Sequence, residues 1–386
     1  MRLILIGNYP PDGQESMERF ALMLHSGYQK AGFTSEIWRP SVLFGSRQQA
    51  ATSGLGKWLA YFDKWLVFPL ILRWRLLDKS LSTEGVRFHV CDHSNAPYLK
   101  HLPEERTGIT CHDVLAIRGA FGYADAYCPA SGLGKVLQKW ILHHLSRAKL
   151  LATVSQLTLH QLRELTAHTV PLSQDWRVIH NAFNAEFAPL PSSQAAELLS
   201  QAGLPPGRPF ILHVGSGQAR KNRALLLRMV QALGPRWQGD ICFAGEALEP
   251  DLQQLADSFG LQARVVSVVK PAHTTLLALY TACEAFIFPS FSEGFGWPVI
   301  EAQACGAPVI ASHIEPMPEV SGGAALHADP TKPEEFAEAL LLLQDPATRA
   351  DTIERGFANA RRFEPQQMTH NYLELFKVRK DLSYAS

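Results

Sequence analysis

The chain has 386 residues, 46% hydrophobic and 19% charged, which is long enough for two ordinary domains and too apolar for a disordered protein. Thirty-six Lys and Arg balance 36 Asp and Glu, so no net basic excess points to nucleic acid. The balance is uneven, however: residues 1–190 hold 20 basic against 15 acidic side chains and residues 191–386 hold 16 against 21, which suits a front half facing an anionic surface or substrate.

The opening run Met1-Arg2-Leu3-Ile4-Leu5-Ile6-Gly7 is too short for a secretory signal and stops at Asn8-Tyr9-Pro10-Pro11. It predicts a buried first strand over 2–7, followed by a helix near 15–31 and a strand near 34–39. Further strands are predicted near 86–91, 107–111, 149–154 and 176–180, with helices near 132–147 and 155–167 between the later ones. Such alternation builds a parallel sheet covered on both faces, here assigned to residues 1–185. Polar residues follow several of these strands: Asp12-Gly13-Gln14, Asp92-His93-Ser94-Asn95, His112-Asp113 and His180-Asn181. A His beside an Asp at a strand end suits either proton chemistry or a structural pair.

Residues 55–79 stand apart. Trp58, Tyr61, Phe62, Trp65, Phe68 and Trp74 are interspersed with Lys57, Lys64, Arg73 and Arg75, and only eight uncharged residues separate Lys64 from Arg73. That is far short of a bilayer span. Two readings stay open: a helix lying in a membrane interface, or a pair of core helices kinked at Pro69.

The segment from Phe183 to Pro209, rich in Ala, Pro, Ser and Gln, reads as a connection, with 186–208 as the linker. A second series then starts: strand 210–214, helix from about 222, strand 241–244, helix 249–259, strand 264–268, helix 272–282, strand 285–288, helix 298–305 and strand 308–311. The fold class is therefore α/β, with two doubly wound Rossmann-like domains, the second over 209–362. Ligands of such domains bind at the carboxyl ends of the strands, here in an expected interdomain cleft. The six cysteines never reach Cys-x-x-Cys spacing and read as reduced core residues of a cytoplasmic protein.

Two corners of the second domain carry the chemistry. The strand ending at Val214 runs into Gly215-Ser216-Gly217-Gln218-Ala219-Arg220-Lys221, a glycine-containing loop with two cations before a helix, suited to a diphosphate. The strand Ala285-Phe286-Ile287-Phe288 runs into Pro289-Ser290-Phe291-Ser292-Glu293-Gly294-Phe295-Gly296-Trp297-Pro298. Gly294 and Gly296 permit close backbone approach, Pro298 suits a first helical turn, and a helix start attracts phosphate. Glu293 and Glu301 stand either side, able to accept hydrogen bonds from ligand hydroxyls.

The spacing of Glu293 and Glu301, with seven residues between, resembles the donor-site motif of the retaining glycosyltransferases of family 4, which have the GT-B fold. The match continues through Gly306-Ala307-Pro308-Val309-Ile310-Ala311-Ser312, Pro318-Glu319-Val320, Gly323-Ala324-Ala325 and Asp329-Pro330. The resemblance implies that Arg220 and Lys221 bind the donor pyrophosphate and stabilise the leaving nucleotide. It implies further that Glu293 contacts the transferred sugar, Glu301 the ribose, and the Gly294-Phe295-Gly296 amides the sugar and diphosphate. His112 takes the place of a histidine near the reacting sugar. Gly13 lies in the place of the glycine-rich loop, although Gln14 stands where many relatives have a second glycine. A terminal helix over 363–386 is implied to pack back on the first domain.

No Asp-x-Asp occurs, so no metal and no cofactor beyond the nucleotide-sugar co-substrate is expected. The Pro-Glu-Val stretch favours mannose as the sugar. The implied activity is transfer to a saccharide or lipid-linked acceptor in envelope polysaccharide or glycolipid synthesis, at the cytoplasmic face of the membrane. A nucleotide-sugar epimerase, a phosphorylase and a non-catalytic glycan- or membrane-binding partner remain as alternatives on the same architecture.

Overall fold

A computed structural model describes residues 1–45, 54–167, 174–205 and 207–377. They form two compact units: Met1–Tyr123 with Cys128–Asn184 and the segment from Pro365, and Ala185–Glu364 with Ala124–Tyr127. The α/β class read from the sequence holds, with one six-stranded parallel sheet in each unit.

The first unit runs β1 (Arg2–Ile6), α1 (Glu15–Lys30), β2 (Thr34–Trp38), α2 (Gly54–Phe62), α3 (Phe68–Arg75), β3 (Val86–Val90), β4 (Thr107–Cys111), α4 (Leu115–Phe121), α5 (Gly132–Leu145), β5 (Leu150–Thr153), α6 (Gln156–Thr166) and β6 (Asp175–Val178). Its strand order is β2-β1-β3-β4-β5-β6. Buried Ile4, Ile6, Phe88, Val90, Ile109 and Leu151 meet helical residues such as Ile117, Ile141 and Leu162 in one core, as a sheet covered on both faces requires. Ser131 and Ser155 cap α5 and α6, each accepting a backbone N–H at 3.2 Å.

Between α2 and α3 lies a π-helical turn, Asp63–Val67, directly before Pro69. Proline cannot donate the hydrogen bond that a continuous α-helix needs there. Asp63 is fully buried and anchors the turn: it accepts from Tyr9 Oη at 2.8 Å and from the backbone N–H groups of Leu43, Phe44 and Gly45 at 3.0–3.2 Å. One side of the α2–α3 segment (Ala60, Phe68, Leu72) enters the core, while the other (Trp58, Leu59, Phe62, Leu66, Leu70, Trp74) is exposed.

The second unit runs α7 (Ser192–Gln201), β7 (Phe210–Gly215), α8 (Ala224–Leu233), β8 (Asp240–Gly245), α9 (Pro250–Ser258), β9 (Val265–Val269), α10 (His273–Ala282), β10 (Ala285–Phe288), α11 (Trp297–Ala304), β11 (Val309–Ser312), α12 (Met317–Ser321), β12 (Leu326–Ala328), α13 (Pro333–Leu342) and α14 (Pro346–Ala360). Its order is β12-β11-β10-β7-β8-β9. The stretch expected to be a plain connection contains α7, which buries Ala195 and Leu199 and packs on α10.

The last helix, α15 (Pro365–Leu375), lies in the first unit against α1. A Cβ at Gly27 would stand 2.1 Å from Thr369 Oγ1, so only glycine allows α1 this approach. Tyr372 Oη lies 2.8 Å from Thr110 Oγ1, which lies 2.8 Å from His89 Nε2. Burial pushes His89 down to about 3, with His112 adding to the effect, so its imidazole is neutral. Among the described residues no helix is long and apolar enough to cross a membrane.

Candidate active site

In the second sheet β7, β8 and β9 follow one another outward, whereas β10 returns to the opposite side of β7. The loops after β7 and β10 therefore diverge at a topological switch point, where open α/β sheets bind ligands. This adjacency brings Arg220 and Lys221 onto Glu293, some 72 residues away in sequence. Arg220 Nη1 donates to Glu293 Oε2 at 2.7 Å and Lys221 Nζ to Oε1 at 2.6 Å.

The two loops are also joined through backbone. Phe291 N donates to the Arg220 carbonyl at 2.8 Å and Arg220 Nη1 to the Ser292 carbonyl at 2.9 Å. Asn222, at φ 53°, donates from Nδ2 to the carbonyls of Pro289 (3.2 Å) and Pro330 (2.8 Å). Asn222 was not among the sequence candidates; its signal was an asparagine, tolerant of positive φ, just before a helix.

Glu293 is 8% exposed. Burial pushes its carboxyl up, but Lys221 and Arg220 more than offset this and hold it below its ordinary value. Burial lowers the Lys221 ammonium, with Glu293 pulling the other way. The Lys221 ammonium also lies 5.1 Å from the centre of the Phe288 ring, which stacks on buried His213. His213 Nδ1 donates to the Ile287 carbonyl at 3.1 Å, and burial pushes this histidine down to about 3.

The remaining candidates of this unit follow on α11 and its approach. Gly296 precedes the helix at φ 99°, and a Cβ there would lie 2.6 Å from Met317 Cε. The Phe295 ring is buried between those of Trp297 and Phe363, so this residue has a packing role besides any contact through its backbone. Gly294 lies between Glu293 and Phe295 in the same loop. Glu301 is buried on α11 and accepts from Tyr280 Oη at 3.0 Å. Tyr280 carried no sequence signal beyond a helical aromatic.

The first sheet repeats the pattern, with its switch point between β1 and β3. Asn8 Nδ2 donates to Asp92 Oδ2 at 2.6 Å, and Asn95 Nδ2 to Asn8 Oδ1 at 2.9 Å. Asp92 also accepts from Ser94 N and Oγ and lies 3.2 Å from His93 Nδ1. Burial pushes the Asp92 carboxyl up, but His93, His112, Ser94 and Asn8 together hold it below its usual range. His112 donates from Nε2 to the Cys91 carbonyl at 2.9 Å and packs edge-on to Phe20. A carbonyl only accepts, so the proton is on Nε2, and Nδ1 is a buried acceptor without a partner among the described residues. Burial lowers His112 against the pull of Asp92, keeping it neutral. Gly13, at φ 64°, is exposed and closes the turn Pro10–Asp12.

Two cations on one buried carboxylate give the Arg220–Lys221–Glu293 cluster itself one net positive charge. The carboxylate oxygens still have lone pairs for ligand hydroxyls, and the cations further N–H groups for phosphate oxygens.

Residues 195–359 match the family model described as glycosyl transferases group 1. The chain is 27% identical over 341 residues, 86% of each protein, to O-antigen chain mannosyltransferase B of Escherichia coli. It is 32% identical over 188 residues to D-inositol 3-phosphate glycosyltransferase of Rhodococcus opacus, covering 46% of this chain and 42% of that one. Among solved structures, sucrose-phosphate synthase of Thermosynechococcus elongatus superposes with a TM-score of 0.70 at 20% identity, over 98% of both chains. HepE of Anabaena, in complex with UDP and glucose, gives 0.69 at 17% identity over 98% of this chain and 100% of that one. The two-unit α/β fold thus matches GT-B glycosyltransferase structures, and residues 195–359 of the second unit are similar to the glycosyl transferases group 1 family.

Proposed function

We propose that this chain is a retaining glycosyltransferase that moves a hexose, mannose in the first instance, from a nucleoside-diphosphate sugar to a hydroxyl of a saccharide or lipid-linked acceptor. The observation that carries the reading is the Arg220–Lys221–Glu293 cluster at the switch point of the second sheet. Relatives named as a mannosyltransferase and an inositol-phosphate glycosyltransferase support the reaction class, and the former supports mannose and an envelope polysaccharide.

In the reaction the bond from the anomeric carbon to the diphosphate oxygen breaks, and its electron pair leaves with the phosphate. Arg220 and Lys221 stabilise that charge without a metal. The acceptor oxygen attacks from the face just vacated, and its proton passes to the departing phosphate oxygen. Glu293 aligns both cations before the donor arrives and accepts from a sugar hydroxyl; Glu301 accepts from the ribose. In the first unit His112 Nδ1, a buried acceptor, is the group that would take a ligand hydroxyl.

A thermal-shift screen against GDP-, UDP-, ADP- and dTDP-sugars identifies the donor, because a ligand selective for the native state raises the melting temperature. Lys221→Ala should then lower kcat by about a hundredfold or more, with EDTA having no effect on the parent enzyme. Near-normal turnover of the variant, loss of activity to EDTA, or a sugar–carboxylate adduct trapped on the protein would each remove one part of this mechanism.

A further inference from the structure

The exposed side of the α2–α3 segment is a continuous apolar stripe. Trp58, Phe62, Leu66, Leu70 and Trp74 recur every four residues, and Trp58 and Trp74 are 59% and 72% exposed. In a regular α-helix residues four apart drift around the axis by about 40° per step. The wider π turn Asp63–Val67 rotates the other way and returns the repeat to one side. The stripe is about 24 Å long, with indoles at its ends and Phe62, Leu66 and Leu70 between, the arrangement of an element lying at a membrane–water boundary.

Cations adjoin it. The Trp65 ring lies 5.0 Å from Trp140 of α5, which carries the Lys100 ammonium at 5.6 Å. Arg73 Nε donates to His101 Nδ1 at 3.2 Å. Burial, with the cations Lys100 and Arg73 beside His101 and Lys100 and Arg147 beside His144, pushes both imidazoles down to about 4. A positive field beside aromatic and aliphatic side chains fits anionic headgroups above acyl chains.

We propose that the exposed face of α2, the π turn and α3 docks the protein on an anionic lipid bilayer, with Phe62, Leu66, Leu70 and Trp74 entering the interface and Arg73, Lys100 and Arg147 attracting headgroups. The surface lies within the first unit and stands independently of the transfer reaction.

Vesicle flotation of the full chain tests it. The protein should float with phosphatidylglycerol–phosphatidylcholine vesicles, stay behind with phosphatidylcholine alone, and be released by high salt. Leu70→Ser with Trp74→Ser, both exposed, should weaken vesicle affinity by about tenfold or more at an unchanged melting temperature. Arg73→Glu with Lys100→Glu should do the same through charge. Absent flotation, equal binding to neutral vesicles, or variants that float like the parent would overturn the proposal. A dimer in solution that the Leu70/Trp74 variant abolishes would also overturn it, by assigning the face to protein. The variants should keep the nucleotide-sugar thermal shift, which separates failure of this surface from failure of the transferase reading.

Discussion

Glu293 couples function to acid stability through a single carboxylate. Its folded-state value lies below the ordinary 4.5, so its contribution is complete above that pH and is lost as pH falls through the lower folded value. His213 runs in the same direction over a higher window: about 3 when folded against 6.5 when free, its contribution is present above 6.5 and lost progressively towards 3. The melting temperature should therefore begin to fall just below pH 6.5. His213→Asn can keep the hydrogen bond to the Ile287 carbonyl without a titrating group, and it should flatten that slope between pH 6.5 and 4. An unchanged slope would show that His213 contributes nothing. Gly296→Ala combines an unfavourable φ of 99° with contact on Met317, and should lower stability by about 1–2 kcal/mol in a chemical melt; a neutral outcome would mean the loop relaxes freely.

Secondary-structure elements were the readable layer, and their neighbours were not. Apolar runs marked the six strands of the first sheet and five of the second, because parallel strands covered on two faces need continuous hydrophobicity; β12, three residues long and only partly buried, carried too short a run to be predicted. The sequence left α7 unseen: Ser192–Gln201 buries only Ala195 and Leu199 and is bounded by prolines, so composition resembled a connection. Strand order has no local signature, and the convergence of Arg220, Lys221 and Glu293 follows from β10 lying beside β7. The motif therefore named residues as separate subsites that the fold makes one ion cluster. The 55–79 segment was posed as either interfacial or core, and Asp63 shows why that choice was too coarse: a buried anchor holds one side in while the other stays out. Asp63→Ala leaves Tyr9 Oη and three backbone N–H groups without their acceptor and should destabilise the first unit by about 3 kcal/mol. A shift under about 0.5 kcal/mol would mean water replaces the carboxylate.

Each unit has its own core, so calorimetry should resolve two transitions rather than one cooperative event. Removing residues after Glu364 deletes the buried Tyr372, Leu373, Leu375 and Phe376 from the first unit. That truncation should abolish or sharply lower one transition and leave the other, with its nucleotide-sugar response, in place. Retention of both transitions unshifted would show that α15 is dispensable.

The return of α15 to the unit begun by β1 also sets an order in time. A ribosome extrudes all of Ala185–Glu364 before it releases the helix that completes the amino-terminal sheet's packing. The unit begun before the other is thus completed after it. Until α15 emerges, Phe20 and Thr110 lack their Tyr372 partner, a nascent intermediate for chaperones to shield.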